Sequence, residues 1–244
     1  MSRDTYQSTP ESIALENLKK TFYSGKMRPI EERKRQLRIL RKAMIELQNE
    51  MEQAIYQDLY RNKNFTRLSE TDACIDFLDY HLSKIEEYTR DVDKDPMLIM
   101  SPATAKLTYE PLGVVLVIGA WNYPYFTLLK PLVMCILAGN CAVVKPSEFG
   151  PNSARILQKL FNKYLEPECF QIFLGDSHVA QKLNDLPFDL ICFTGSGRIG
   201  KMVAQRASKN LVPCILELGG KSPYVWDKST SIDHAAYKLC YGKF

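Results

Sequence analysis

No uninterrupted apolar run in the 244-residue chain is long enough to cross a bilayer. The most apolar stretch, GVVLVIGAWNYPYFTLLKPLVMCILAGNCAVV, is broken by Asn122, Pro124, Lys130, Pro131 and Asn140. A span needs about 20 consecutive apolar residues, so this stretch reads as buried core elements. The N-terminus, MSRDTYQSTPESIA, lacks the apolar segment of a secretory leader. The seven cysteines contain no CxxC pair, and their number is odd. That pattern favours reduced thiols in a cytoplasmic protein over disulfides or a zinc site. Block basic charge is also missing. The balance of 32 Lys+Arg against 28 Asp+Glu leaves +4, too little to imply nucleic acid, and EERKRQLRILRK reads as a solvated helix face. Histidine is sparse: His81, His178 and His234 are scattered singly, which argues against a metal or catalytic role. Trp121 and Trp226 are the only tryptophans and read as core residues. There is no internal repeat.

What remains is ordinary globular composition, 45% hydrophobic and 25% charged, enough for one large domain or two small ones. The first hundred residues read as helices. Leu37, Leu40, Met44, Leu47, Met51 and Ile55 recur at helical spacing, and Ile75, Leu78, Leu82 and Ile85 repeat the pattern. Ser69, with Asp72 three positions on, is a candidate cap for the second of these helices. After Pro102 the texture changes. TAKLTYE, residues 104–110, alternates and predicts an arm strand with one wet face. Strands and helices then alternate. GVVLVIG is a strand, and YFTLLKPLVMCILAGN a helix with a break or kink expected at Pro131 and an end at Gly139-Asn140. CAVVK is a strand, PNSARILQKLFNKYL a helix opened by Pro151, CFQIFL a strand and SHVAQKLND a short helix. DLICFT, RIGKMVAQRASKN and PCILEL complete the series as strand, helix and strand. The order predicts an α/β fold: a helical N-terminal layer and a doubly wound, mostly parallel sheet.

DLICFTGSGRIGKM places a G-x-G-x-x-G, Gly195 to Gly200, between a predicted strand and a predicted helix. Glycines there let backbone N–H groups approach an anion, and the helix N-terminus adds positive potential. In that context the motif points to a dinucleotide. The ordinary Rossmann reading then wants an acid about 20 residues on, holding ribose hydroxyls. Glu217, at the end of the next predicted strand, fits that spacing.

Four motifs in order, EPLGVVLVIGAWNYP, VVKPSE, FTGSGRIG and LELGGKSP, resemble the aldehyde dehydrogenase superfamily. The form IGAWNYP and the short N-terminal region are most similar to its class 3 branch, the fatty and aromatic aldehyde dehydrogenases. The resemblance runs from about residue 12 onward. It implies other roles for the same residues. Asn122 matches the family's oxyanion-hole amide. Lys145 and Glu148 match the residues that hold the adenosine ribose. Gly195, Ser196 and Gly200 match the loop that meets the cofactor pyrophosphate. Gly197 stands in that loop where class 3 members usually carry threonine or another side chain, a departure that adds flexibility. Glu217 matches the general base, not a ribose ligand. The implied domains are a cofactor domain over 1–218, with the arm near 104–110, and the start of an α/β catalytic domain over 219–244.

The implied reaction is oxidation of an aldehyde to a carboxylic acid with NAD, or NADP, through a cysteine thiohemiacetal and thioester. Free glutamate has a pKa of about 4.3, so Glu217 can act only if burial raises it or if it polarises water. The family's nucleophile lies in a GQTC-type motif shortly after GKF, and this sequence stops at Phe244 with no GQTC. Cys135, Cys141, Cys192, Cys214 and Cys240 read as small buried hydrophobes, not substitutes. The expectation is therefore an N-terminal fragment, inactive alone, of a homodimeric enzyme. Its remainder would carry the nucleophile and any membrane tail. A conventional Rossmann dehydrogenase and a non-catalytic nucleotide-binding protein are the alternatives.

Overall fold

Residues 9–243 are described by a computed structural model. Helix α1 (Pro10–Tyr23) starts from a reciprocal cap: Thr9 Oγ1 accepts from the Ser12 N–H at 3.2 Å, and Ser12 Oγ accepts from the Thr9 N–H at 3.0 Å. Pro10 takes the first helical position, where its missing N–H costs nothing. Helix α2 (Ile30–Leu59) buries the stripe Leu37, Leu40, Met44, Leu47, Met51 and Ile55, as its spacing predicts. It packs across helices α5 and α6, described below.

Helix α3 (Lys63–Thr66) begins at Asn62, whose Oδ1 accepts from the Asn64 N–H at 2.8 Å. A wide π-helical turn (Arg67–Thr71) joins it directly to α4 (Asp72–Thr89). The capping role expected of Ser69 is therefore corrected. The backbone is helical from Lys63 onward, so Ser69 has no free helix start to cap, and its hydroxyl donates to Phe65 O at 2.7 Å. Leu78 and Ile85 of α4 are buried, with Ile75 and Leu82 packed beside them.

Strands β1 (Val92–Lys94) and β2 (Ala105–Leu107) pair antiparallel in a two-stranded sheet of their own. The turn between them holds Leu98 and Ile99 out, 92% and 89% exposed.

The main sheet uses β3 (Val114–Ile118), β4 (Cys141–Lys145), β5 (Phe170–Ile172), β6 (Leu190–Gly195) and β7 (Cys214–Leu218). All its pairings are parallel, in the order β5-β4-β3-β6-β7. Every residue of β3 and β4 is buried, which explains their unbroken apolar runs. Helices α5 (Phe126–Ala138) and α6 (Pro151–Tyr164) make the crossovers on one side of β3. Helices α7 (Ser177–Asn184) and α8 (Gly197–Ala207) make those towards β6 and β7, and α1 packs on β3 and β4. The sheet winds outwards in both directions from β3, so the crossover direction reverses between β3 and β6.

Of the break or kink expected at Pro131, the break does not occur: helix α5 continues through it. Leu128, Leu129, Leu132, Val133 and Ile136 are all buried along it, and that packing outweighs the roughly 3 kcal/mol cost of an internal proline. Gly139 ends the helix with φ of +87°. An added Cβ there would lie 2.7 Å from the Arg33 guanidinium. That buried guanidinium donates to Met27 O at 2.9 Å, Leu137 O at 3.3 Å and Arg28 O at 2.9 Å, tying α2 to α5. Gly139→Val is expected to lose about 2 kcal/mol or more, from left-handed strain and displacement of Arg33. Urea unfolding measures this, and an unchanged midpoint would contradict it.

Beyond β7 the chain leaves the sheet, and helix α9 (Ile232–Lys243) has only Ala235 buried. Two expectations change here. Cys240 is exposed, not buried, because α9 shows almost all its faces to solvent. Trp226 is 46% exposed, with its indole N–H donating to Thr230 O at 3.1 Å within a local turn. Trp121 also falls outside the core, at 51% exposure, because it lies just past the end of β3 where the chain turns. No helix among the described residues is long and apolar enough to cross a membrane.

Candidate active site

Parallel strands end on the same edge of a sheet, so the residues that follow β3, β4, β6 and β7 converge. They enclose a cleft of about 800 Å³ at the switch point. Asn122, Lys145, Glu148, Gly195, Ser196 and Glu217 all line it. Gly197 and Gly200 lie on α8 and are not among its walls.

At the end of β4, Lys145 is 2% exposed, and its Nζ donates to Glu148 Oε2 at 3.1 Å. A buried ammonium needs such a partner, and Glu148 supplies it while remaining exposed. After β6, Ser196 caps α8, its Oγ accepting from the Ile199 N–H at 3.4 Å. Gly197 opens the helix with nothing within 4 Å of an added Cβ. At Gly200 an added Cβ would meet Leu218 Cδ2 at 2.5 Å, so this glycine permits close packing of α8 on β7. Ser196, Arg198 and Ile199 at the start of α8 line the cleft, so this helix N-terminus borders it, a suitable anion cradle.

Glu217 stands opposite Thr194 in the β6–β7 register and is exposed. The described residues around it do not bury it. Two residues on, Gly219 has nothing within 4 Å of an added Cβ, so the space beside it is open.

Asn122 is exposed on the turn between β3 and α5, and that turn is tightly held. The Thr127 hydroxyl accepts from the Ala120 N–H at 3.1 Å and donates to Tyr123 O at 2.9 Å. Arg61 donates to Asn122 O, and its guanidinium lies 4.4 Å from the Tyr123 ring centroid. Glu70 is fully buried and accepts from the Tyr125 N–H at 2.9 Å, the Phe126 N–H at 3.2 Å and Arg61 at 2.6 Å. Burial pushes its carboxyl up to about 7, against the downward pull of the two amides and Arg61. Sequence reasoning missed Glu70 and Arg61. The available signal was spacing: Glu70 sits four residues before buried Cys74 and eight before buried Leu78, on the apolar stripe.

No cysteine among the described residues lines the cleft. Burial pushes Cys74 up to about 12 and Cys192 up to about 11, which keeps both as thiols at neutral pH. No group of His, Cys, Asp and Glu among the described residues is arranged to hold a metal ion.

The aldehyde dehydrogenase family profile matches residues 7–244. The chain belongs to that family. It is 36% identical over 223 residues to the 4,4'-diaponeurosporen-aldehyde dehydrogenase of Staphylococcus aureus, covering 91% of this chain and 49% of that protein. It is 38% identical over 232 residues to aldehyde dehydrogenase family 3 member A2 of Rattus norvegicus, covering 94% and 48%. The class 3 resemblance of the IGAWNYP segment accords with that relative. Among solved structures, Staphylococcus aureus AldH in a substrate-bound state superposes with a TM-score of 0.91 at 35% identity, covering 97% of this chain and 52% of that one. The chain thus spans about half the length of the curated relatives it matches.

Proposed function

We propose that the protein containing this chain oxidises aldehydes to carboxylic acids with NAD or NADP. Residues 1–218 would form the cofactor domain, and 219–244 would begin the catalytic one. The observation that carries the reading is one cleft walled by Asn122, Glu217 and the Lys145–Glu148 pair. The cleft fits a dinucleotide in chemistry as well as position. Gly195 and Ser196 lead into an uncovered helix N-terminus suited to a pyrophosphate, and Glu148 is an exposed carboxylate suited to ribose hydroxyls. The cofactor would supply the hydride acceptor.

This chain's residues would do the rest of the local work. The Asn122 side-chain amide would donate to the oxygen that gains negative charge at the attacked carbonyl. Glu217 would take protons from the attacking thiol and from water. The thiol itself belongs, on this reading, to sequence outside these 244 residues. The exposed apolar turn at Leu98 and Ile99 supports pairing of the β1–β2 arm with a second copy, giving a homodimer. We assign the protein to the cytoplasm on its unpaired thiols.

Glu148 favours NAD, because a ribose 2′-phosphate at about 4 Å from a carboxylate is repelled by several kcal/mol before screening. Lys145 beneath it offsets part of that. Glu148→Gln in the full-length protein is expected to raise affinity for NADP relative to NAD by about 10-fold. Fluorescence titration of both cofactors tests this. An unchanged ratio would remove Glu148 from the ribose site.

A further inference from the structure

We infer that Glu70 and Arg61 form a clamp that positions Asn122 for catalysis, with Glu70 as its buried anchor. The inference rests on Asn122 being the oxyanion donor. An oxyanion donor works only if its direction is fixed before charge develops. Asn122 is exposed on a turn and cannot be fixed by burial. The turn is instead fixed from both ends. Glu70 accepts from the Tyr125 and Phe126 amides, at 2.9 and 3.2 Å, which holds the first turn of α5. The same carboxylate holds Arg61 at 2.6 Å. Arg61 in turn donates to the carbonyl oxygen of Asn122 itself and stacks on Tyr123. One buried group thereby restrains the backbone immediately after Asn122 and, through Arg61, Asn122 directly.

The surroundings suit an anchor more than a general acid or base. Glu70 is 0% exposed and does not line the cleft, so it has no route to substrate. All its hydrogen-bond partners are donors, and both its oxygens accept. Glu70 lies within the π-helical turn, where the Asp72 N–H reaches back to Arg67 O. An ordinary N-terminal cap for α5 would account for the two amide contacts, but not for the bridge through Arg61 to Asn122.

The test is a double-mutant cycle in the full-length protein, reading kcat, aldehyde KM, NAD Kd and thermal midpoint. Glu70→Gln places an amide among donors. It is expected to lower kcat by about 10-fold while KM and Kd stay within about twofold. Arg61→Lys keeps the charge but loses the two-pronged bridge. It is expected to lower kcat by about 5-fold and gives the readout should Glu70→Gln fail to fold. Both losses should vanish in an Asn122→Ala background, because a clamp has nothing left to position. Unchanged kcat in the folded single variants, or losses that persist in full beside Asn122→Ala, would overturn the clamp. If Asn122→Ala alone kept full kcat, the oxyanion reading would fail instead, and the clamp with it.

Discussion

Glu217→Gln in the full-length protein is expected to lower kcat by about 10³-fold and to leave NAD affinity within about twofold. Loss of a general base typically costs 10²–10⁴ in rate, and under the proposed function one carboxylate would serve both the thiol and the hydrolytic water. The geometry separates Glu217 from the other acid of the cleft. Glu148 leaves the sheet after β4 and is engaged with Lys145, whereas Glu217 is on β7 and its carboxylate makes no hydrogen bond or ion pair among the described residues. A carboxylate that accepts and releases protons is best left uncommitted, and glycines such as Gly219 and Gly220 restrict the backbone after it less than other residues would. The conventional dinucleotide reading predicts the opposite split. If Glu217 held the ribose, glutamine would weaken NAD binding and leave the chemical step largely intact. Stopped-flow NADH formation with separate NAD titrations distinguishes the two, and a defect confined to Kd would take Glu217 off the catalytic residues.

Asn122→Ala is expected to lower kcat by about 10²–10³-fold with little change in aldehyde KM. Removing one preorganised donor to a developing oxyanion has that magnitude, because the interaction strengthens as charge forms and contributes little to the ground state. The turn that carries Asn122 is already held by Thr127, Arg61 and Glu70, so truncating its side chain should leave the backbone in place and the thermal midpoint unchanged. Steady-state kinetics against a simple aldehyde check this. A rise in KM at constant kcat would mean that Asn122 only binds substrate.

The sheet was legible because its strands are short, β-branched and wholly buried, as in Val114–Ile118 and Cys141–Lys145, and are punctuated by Gly and Pro. The glycine loop of the cleft was legible from Gly195 to Gly200 between a predicted strand and helix, whereas Asn122, Lys145 and Glu148 were marked by the resemblance of the motifs that carry them. Three features were less so. Of the break or kink expected at Pro131, the break did not occur, since tertiary packing on a helix buried along its length overrides a local cost. The two tryptophans are exposed at about half their surface because Trp121 belongs to a turn beside the cleft and Trp226 to a segment outside the sheet. Glu70 was overlooked because its charge reads as surface; only its register with Cys74 and Leu78 places it inside. Its partners lie at residues 61 and 125–126, and single-sequence periodicity carries no information about such long-range pairing.

The most direct test of the account is a crystal structure of the full-length protein with NAD bound. It should place the Glu148 carboxylate within hydrogen-bond distance of the adenosine ribose hydroxyls, the pyrophosphate at the N-terminus of α8, and Glu217 at the nicotinamide end of the cleft beside Asn122. A structure in which Glu217 hydrogen-bonds the ribose and Glu148 points away from the cofactor would contradict it.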